Sequence, residues 1–231
     1  MPLSLRAVSL DLDNTLWETP PVLVRAEAAL EAWLAEHAPA IAASFDTARF
    51  RKLRGELANR EPGRAHDMTW LRTEALRHAA RLTGYPATLA DAAFTVFWRE
   101  RNTLELYPEA DAALARIAAR VPVYALTNGN ACVEQVGIGR YFRGAIDAAS
   151  AGAAKPDRVI YRRLVELARL PPAEILHVGD DALADVHGAR AAGLQALWIN
   201  RDGAEWPAEL PPPEHEAADL AAVAAFVEAR S

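Results

Sequence analysis

Two aspartates that stand two positions apart, Asp11 and Asp13, are the first residues of the chain that could do chemistry. They follow the apolar run 7–10 and precede the turn-forming residues Asn14 and Thr15. In an extended backbone, side chains two positions apart point to the same side, so both carboxylates would face one site. Like charges this close need a cation, a positive side chain or a retained proton beside them. The identity of that compensating group therefore decides the function.

Later apolar runs end in polar residues in the same way. The run 121–126 ends at Thr127, and the run 175–178 ends at Gly179 and Asp180. The carboxyl ends of parallel strands meet at one edge of a sheet, and in open α/β sheets ligands bind at that edge. Clustered acids there supply the hard oxygen ligands that Mg²⁺ prefers. The pattern predicts a magnesium-dependent site that contains Asp11, Asp13 and Asp180.

Lys155 is the candidate positive side chain. It precedes Pro156, which disfavours helical backbone at Lys155 and suits the first turn of the next helix, so the ammonium would enter the site from a fixed loop. There it would offset the carboxylates and a bound phosphate. The hydroxyl and backbone N–H groups of the turn 127–129 also suit phosphoryl oxygens. Asp185 either caps the following helix or orients a partner of the metal ligands.

The elements that must position these residues fall into two groups. Between the first and second apolar runs, apolar residues recur at helical spacing, which predicts a helical bundle with no strand. Its predicted helices are 22–37, 46–60, 67–83 and 88–104, with N-caps at Asp46, Asp67 and Thr88. The predicted domains are an α/β core, 1–17 with 106–231, and a helical domain, 18–105. Since the helical domain is inserted beside the expected site, we expect it to act as a lid.

In the core, short apolar runs alternate with longer helical patterns, which is typical of a doubly wound, Rossmann-like parallel sheet. The predicted strands are 7–10, 121–126, 145–148, 175–178 and 195–199. The predicted helices are 109–120, 157–169, 185–192 and 219–230, and the segment 207–213 is expected to be an ordered surface loop.

Composition narrows the function classes. The 231 residues are 52% hydrophobic, enough for a full core, and carry a formal net charge of -6 without a long basic block, which argues against nucleic acid as the partner. The opening residues show neither a signal peptide nor a membrane span. A single cysteine, Cys132, excludes an internal disulfide framework, and we expect a soluble, cytoplasmic protein with a small charged metabolite as its partner. Five of the six histidines are candidates for a zinc site but show no zinc-ligand spacing: His66, His78, His177, His187 and His215.

Taken together, the segments 11–15, 127–129, 155–156 and 179–181 with Asp185 resemble the four motifs of the haloacid dehalogenase-like hydrolase superfamily, in the same order. The helical insertion resembles the cap that one large subgroup carries between its first and second motifs. The resemblance implies a Mg²⁺-dependent phosphatase in which Asp11 is the nucleophile and forms an aspartyl-phosphate. Asp13 would protonate the leaving oxygen and later activate water. The implied metal ligands are Asp11, Asp180 and the backbone carbonyl of Asp13.

Five further residues complete the predicted site. Thr127, Asn128 and Lys155 would bind the transferring phosphoryl group, while Asp181 and Asp185 would support the metal ligands from outside. Asp11 must be ionised to attack whereas Asp13 must hold a proton, and a cation beside Asp11 would separate their states.

A closer resemblance covers nearly the whole chain, on Pro21-Val22, Arg25, Glu27, His66-Asp67, 127–130 and 175–181. These segments are similar to the bacterial phosphatases of riboflavin biosynthesis that act on 5-amino-6-(5-phospho-D-ribitylamino)uracil. That substrate or flavin mononucleotide (FMN) is therefore one expectation. A broad-specificity sugar or nucleotide phosphatase and a phosphomutase are alternatives, because both would keep every motif.

Two further alternatives use the same fold. Haloacid dehalogenases share the aspartate nucleophile but attack carbon, lack an acid at the position of Asp13 and need no Mg²⁺, so Asp13 and the pair Asp180-Asp181 argue against that activity. A non-catalytic phosphate-binding protein would not need the complete set of acids, threonine and lysine.

Overall fold

The computed structural model describes residues 5–231, which form two compact units. One unit contains the chain up to Glu18 and the segment Glu105–Ser231, and the other is Thr19–Leu104. Two predictions include residues 1–4: the core segment 1–17 and the absence of a signal peptide. For these four residues both predictions lie outside the part of the chain that the structure describes. None of the helices in residues 5–231 is long and apolar enough to cross a membrane.

The second unit is entirely helical over its described residues. Its α-helices are α1 Thr19–His37, α2 Pro39–Ser44, α3 Thr47–Arg60, α4 Met68–Thr83 and α5 Leu89–Arg101, with a 3₁₀ turn at Pro62–Arg64. Their apolar faces meet in one core that includes Leu34, Phe50, Leu76 and Phe97. The sequence pattern missed α2, because Pro39 marks the start of a short helix as well as the end of α1.

Capping residues set where these helices begin. Asp46 accepts a hydrogen bond from Arg49 N at 2.7 Å, and Asp67 accepts one from Trp70 N at 2.8 Å, as predicted. The predicted N-cap at Thr88 is wrong, since its side chain makes no capping hydrogen bond and its backbone is already helical. Thr88 is exposed, so solvent can satisfy the first N–H groups of α5.

The first unit is built on a six-stranded sheet in which every neighbouring pair is parallel, with the order β3-β2-β1-β4-β5-β6. The strands are β1 Ala7–Leu10, β2 Val123–Thr127, β3 Phe142–Asp147, β4 Ile175–Gly179, β5 Gln195–Ile199 and β6 Glu216–Ala217. The predicted α/β class is confirmed. The central strands β1, β2 and β4 are buried throughout, which explains their continuous apolar runs.

The connecting α-helices are α6 Ala110–Ala118, α7 Val133–Val136, α8 Ala148–Ala151, α9 Arg158–Ala168, α10 Gly188–Ala191 and α11 Leu220–Glu228, with 3₁₀ turns at Gly139–Tyr141 and Pro172–Glu174. The predicted helix 185–192 is instead a π-helical turn, Ala182–His187, that continues into α10. The sequence also missed β6, which follows the predicted loop 207–213 and pairs with the end of β5.

Strand order and register bring the chemistry-bearing residues to one edge. The chain runs outward from β1 in both directions, so its topological switch point lies between β1 and β4, where ligands bind in such sheets. Leu10 pairs with Ala125 on one side and with Val178 on the other. The residues that end or follow these strands therefore lie side by side.

Capping supplies a test of how the helical unit is stabilised. We expect Asp67→Ala to lower the free energy of unfolding by about 1 kcal/mol, because the N-terminus of α4 loses its hydrogen-bond acceptor. Thr88→Ala, the matched control at the start of α5, should change it by less than about 0.5 kcal/mol. Urea unfolding followed by far-ultraviolet circular dichroism measures both, and equal losses in the two variants would contradict the assignment.

Candidate active site

A buried ammonium group holds two carboxylates at the edge of the sheet. Lys155 Nζ lies 2.6 Å from Asp11 Oδ1 and 2.6 Å from Asp185 Oδ1, and it donates a third hydrogen bond to Leu126 O at 2.8 Å. The lysine is 5% exposed and Asp185 is 1% exposed. All three N–H bonds of the ammonium are thus used, and its direction is determined.

Lys155 reaches this position from a restrained loop. The Lys155-Pro156 peptide bond is cis. The Asn128 side chain accepts from Lys155 N at 2.7 Å and donates to Lys155 O at 3.0 Å, so it holds the lysine main chain in both directions. α9 begins at Arg158, after the N-cap Asp157, and Pro156 therefore lies before the helix rather than in its first turn. Because both atoms of the Asn128 side-chain amide bond to Lys155, the predicted contact with a phosphoryl group is left to the Asn128 backbone N–H. That contact stays a prediction.

The structure separates the roles of Asp181 and Asp185. Asp181 Oδ1 accepts from Leu183 N and Ala184 N at 2.8 and 2.7 Å, so Asp181 caps the π-helical turn. Asp185 does not cap this helix, and that alternative is wrong. Its Oδ1 accepts from Lys155 and from His177 Nε2 at 3.0 Å, and its Oδ2 accepts from Asp181 N at 3.0 Å. Asp185 thus organises the buried side of the site.

A set of oxygen atoms that fits a metal ion lies next to Lys155. One carboxylate oxygen from each of Asp11, Asp180 and Asp185 lies within 4.8 Å of the others. The Asp180 backbone is fixed by Trp198 Nε1, which donates to Asp180 O at 2.8 Å. Three acids face a single ammonium here, and their hard oxygens match the preference of Mg²⁺. The residues present therefore fit the predicted cation in both charge and donor chemistry.

Asp13 is held by a residue that the sequence did not single out. Trp17 Nε1 donates to Asp13 Oδ1 at 2.9 Å, and the tryptophan is fully buried. Between them Asn14 has a left-handed backbone with φ 57°, which asparagine tolerates better than most residues. Thr127, the last residue of β2, is 3% exposed and accepts a hydrogen bond from Gly129 N at 3.0 Å. The turns after β1 and β2 are both ordered by such short contacts.

Burial and charge shift the pKa values of the acids in different directions. Burial raises the pKa of Asp11 to about 8, although the Lys155 ammonium opposes the shift. Burial, followed by the charge of Asp185, raises the pKa of Asp180 to about 6. For Asp185, burial is outweighed by Lys155 and the hydrogen bond from His177, which hold its pKa below the usual range. A further positive charge beside Asp11 and Asp180 would therefore favour the ionised form of both carboxyl groups.

The two basic groups of the cluster also shift. Burial alone would lower the pKa of Lys155, but the charges of Asp11 and Asp185 outweigh it and hold the pKa above its usual value. Burial lowers the pKa of His177, so its ring is neutral at neutral pH. His177 lacks zinc-ligand spacing, so the sequence pattern did not indicate it as a site residue. One feature of the sequence could have indicated it: Ser9 and His177 are polar residues within two otherwise apolar strands, and the structure pairs them.

Comparisons with known proteins agree with this geometry. Residues 5–193 match the sequence profile of a family described as haloacid dehalogenase-like hydrolase. The chain is similar to the 5-amino-6-(5-phospho-D-ribitylamino)uracil phosphatase YigB of Escherichia coli, with 33% identity over 89% of this chain and 90% of that protein. It is also similar to the phosphoserine phosphatase of Thermus thermophilus, with 34% identity over 55% of this chain and 52% of that protein.

A solved structure of another name is equally similar. The crystal structure of a 2-haloacid dehalogenase from Pseudomonas syringae pv. Tomato DC3000 superimposes with a TM-score of 0.92 and 35% identity, covering 98% of this chain and 99% of that one. Because relatives at nearly the same identity carry phosphatase and dehalogenase names, similarity alone does not decide the reaction. The side chains of the site have to decide it.

The close approach of β4 to Asp185 gives a test of the site's packing. A Cβ on Gly179 would lie 2.2 Å from Asp185 Cγ and Oδ2, so we expect Gly179→Ala to lower the free energy of unfolding by about 1–3 kcal/mol. Gly55→Ala in α3 is the control, because its added Cβ meets no atom within 4 Å, and it should be neutral or stabilising. Urea unfolding measures both. A Gly179→Ala protein as stable as the wild type would show that the Asp185 carboxylate moves freely.

Proposed function

The chain belongs to the haloacid dehalogenase-like hydrolase family, and we propose that it is a Mg²⁺-dependent phosphatase that hydrolyses a small phosphorylated metabolite through an aspartyl-phosphate on Asp11. The observation that carries this proposal is a second acid, Asp13, two residues after the lysine-bound Asp11. Trp17 holds Asp13 by a hydrogen bond. The alcohol of a phosphate ester leaves as an alkoxide unless an acid protonates its oxygen, and we assign that role to Asp13.

In the first step an Asp11 carboxylate oxygen attacks phosphorus, and the bond between phosphorus and the ester oxygen breaks. Asp13 donates its proton to that oxygen, which leaves as an alcohol. In the second step Asp13, now a carboxylate, takes a proton from water as the water oxygen attacks phosphorus. The bond to Asp11 breaks, inorganic phosphate is released and both acids return to their starting states.

In this proposal, other residues at the same edge of the sheet bind and orient the phosphoryl group. Thr127 would contact it through its hydroxyl, and Lys155 would offset the repulsion between an anionic nucleophile and an anionic ester. Asp11, Asp180 and the backbone carbonyl of Asp13 would hold Mg²⁺, which supplies further positive charge for Asp11 and the phosphoryl oxygens when bound.

Supporting roles follow from the hydrogen bonds already made. Both oxygens of Asp185 already accept hydrogen bonds, so we place Asp185 outside the metal ligands, and Asp181 caps the turn that carries it. The helical unit, Thr19–Leu104, is inserted directly after the turn that carries Asp13, and we propose that it is the cap.

The substrate we favour is a ribityl phosphate, 5-amino-6-(5-phospho-D-ribitylamino)uracil or FMN, which would place the protein in riboflavin biosynthesis. Similarity to YigB over 90% of that protein's length supports it. A cytoplasmic location agrees with the single cysteine, Cys132, which leaves the chain without an internal disulfide. A broad-specificity sugar or nucleotide phosphatase is the principal alternative within the same reaction class.

Haloacid dehalogenase activity is the second candidate, favoured by the structural similarity to the Pseudomonas syringae protein. In that reaction Asp11 would attack carbon and halide would leave without a proton, so Asp13 would have no role. The acid composition of the site therefore favours phosphoryl transfer.

A substrate panel tests the reaction class. Inorganic phosphate release would be measured from ribityl, sugar and nucleotide phosphates and from FMN, with Mg²⁺ and with a chelator, beside halide release from 2-chloropropionate. We expect Mg²⁺-dependent phosphate release and no halide. Release confined to ribityl compounds supports the riboflavin assignment, whereas broad release supports a general phosphatase. Halide release alone would establish the dehalogenase, and a phosphorylated product without free phosphate would identify a mutase.

Two carboxamide variants test the roles of the acids. Asp11→Asn should lower phosphate release by at least about 10³-fold, because the amide cannot attack phosphorus, while circular dichroism should show an intact fold. Substantial residual turnover would refute the nucleophile assignment.

Asp13→Asn is the matched comparison. For alkyl phosphates it should lose about 10²–10⁴-fold in rate, the usual contribution of a general acid. With p-nitrophenyl phosphate, whose leaving group needs no proton, it should still release a burst of one nitrophenol per protein and accumulate phosphorylated Asp11, detectable by mass spectrometry. Equal losses for both kinds of ester, without a burst, would exclude the acid role.

A further inference from the structure

A continuous chain of buried side chains runs beneath the proposed phosphoryl site. Ser9 Oγ lies 2.8 Å from His177 Nδ1, and His177 Nε2 lies 3.0 Å from Asp185 Oδ1. Asp185 Oδ1 in turn accepts from Lys155, which contacts Asp11. Ser9 and His177 are fully buried. The proposed reaction has no use for either, yet they connect directly to the group that holds the nucleophile.

The direction of these hydrogen bonds follows from chemistry. The Asp185 carboxylate can only accept, so the proton must be on His177 Nε2. A buried neutral ring then has a lone pair on Nδ1, and the Ser9 hydroxyl must donate to it. The Tyr161 and His177 rings pack nearly perpendicular to each other at a centroid distance of 5.7 Å, and Tyr161 Oη donates to Ala184 O in the π-helical turn. One tautomer and one ring orientation satisfy every partner.

We propose that His177 is a positioning residue: by donating to Asp185 it fixes that carboxylate, and through it the Lys155 ammonium, in the place where Lys155 holds Asp11. The catalytic consequence rests on the proposed phosphatase function, whereas the positioning itself does not.

A neutral donor is what this position requires. A cation at residue 177 would compete with Lys155 for Asp185 and would reduce the negative charge that the site offers to a metal ion. An apolar residue would leave a buried carboxylate oxygen with fewer hydrogen bonds, and Asp185 could then turn away from Lys155. The Lys155 ammonium lies at the end of a flexible four-carbon side chain, so its position depends on the groups that it hydrogen-bonds.

Two amides of similar size separate positioning from simple core packing. In His177→Gln the amide nitrogen can take the place of Nε2 and still donate to Asp185. In His177→Asn the shorter side chain replaces Nδ1 and can contact only Ser9. Both variants lose the ring that packs on Tyr161, so a purely structural role predicts equal effects.

The kinetic expectation is an asymmetric one. His177→Asn should lower kcat for phosphate release by about 10–100-fold, the usual effect of removing a supporting hydrogen bond from a site residue, with a smaller change in KM. His177→Gln should recover most of that loss in kcat, although its thermal midpoint also falls because the ring that packs on Tyr161 is lost. Equal kcat losses in the two variants would overturn the proposal.

A readout that needs no activity keeps this test separate from that of the proposed function. In ¹⁵N NMR spectra of the wild type, His177 should be neutral and protonated at Nε2. The Lys155 ammonium resonance should be protected from solvent exchange in the wild type and in His177→Gln, and broadened in His177→Asn. Protonation at Nδ1, or a Lys155 signal unchanged in His177→Asn, would refute the positioning role. A wild type with the expected spectra but no phosphate release would contradict the proposed function alone.

Discussion

The ion pairs of one buried ammonium, that of Lys155, organise the candidate active site. Lys155 lies 2.6 Å from both Asp11 and Asp185, and its third hydrogen bond reaches the main chain of β2. The three contacts join the residue that follows β1, the main chain of β2 and the π-helical turn after β4, so the edge of the sheet and the charge balance of the site depend on the same group. Removing one partner of such a buried pair leaves an uncompensated charge, at a cost of about 3–5 kcal/mol in comparable cases. Because three carboxylates lie beside one ammonium, the charge balance of the cluster also favours a divalent cation.

Keeping that ammonium in place constrains residues well beyond it. Asn128 holds the Lys155 backbone on both sides, and Gly179 is the residue that leaves space for the Asp185 carboxylate. Beneath them Ser9 and His177 pair across β1 and β4, at positions where a fully buried parallel sheet ordinarily carries apolar side chains. The polar groups inside this sheet are therefore explained by the site above them, because each one satisfies a hydrogen bond of the next.

The same nucleophile can serve two chemistries, and a small local feature separates them. Relatives of similar identity are named as a phosphatase and as a dehalogenase, so the fold and Asp11 do not discriminate. What differs chemically is the leaving group, since an alkoxide needs a proton and a halide does not. Asp13 is held by the indole of Trp17 across a turn with a left-handed asparagine, and it is the acid that we propose as the source of that proton. The acid, and not the scaffold, is therefore what favours phosphoryl transfer.

The sequence by itself determined the α/β class, the parallel strands and the edge at which Asp11, Thr127 and Asp180 lie, because hydrophobic periodicity reports which face of each element is buried and polar residues mark where a strand ends. It also located the caps at Asp46 and Asp67. Only the tertiary structure showed that Asp181 is the cap while Asp185 accepts a hydrogen bond from Lys155, and that Thr88 caps nothing. It also showed that Trp17, Asn128 and His177 hydrogen-bond Asp13, Lys155 and Asp185, respectively. Periodicity gives the direction of a side chain but not its distance from another. Most of these partners lie on different strands and turns, and a hydrogen bond requires atoms within about 3 Å of one another, which only packing decides.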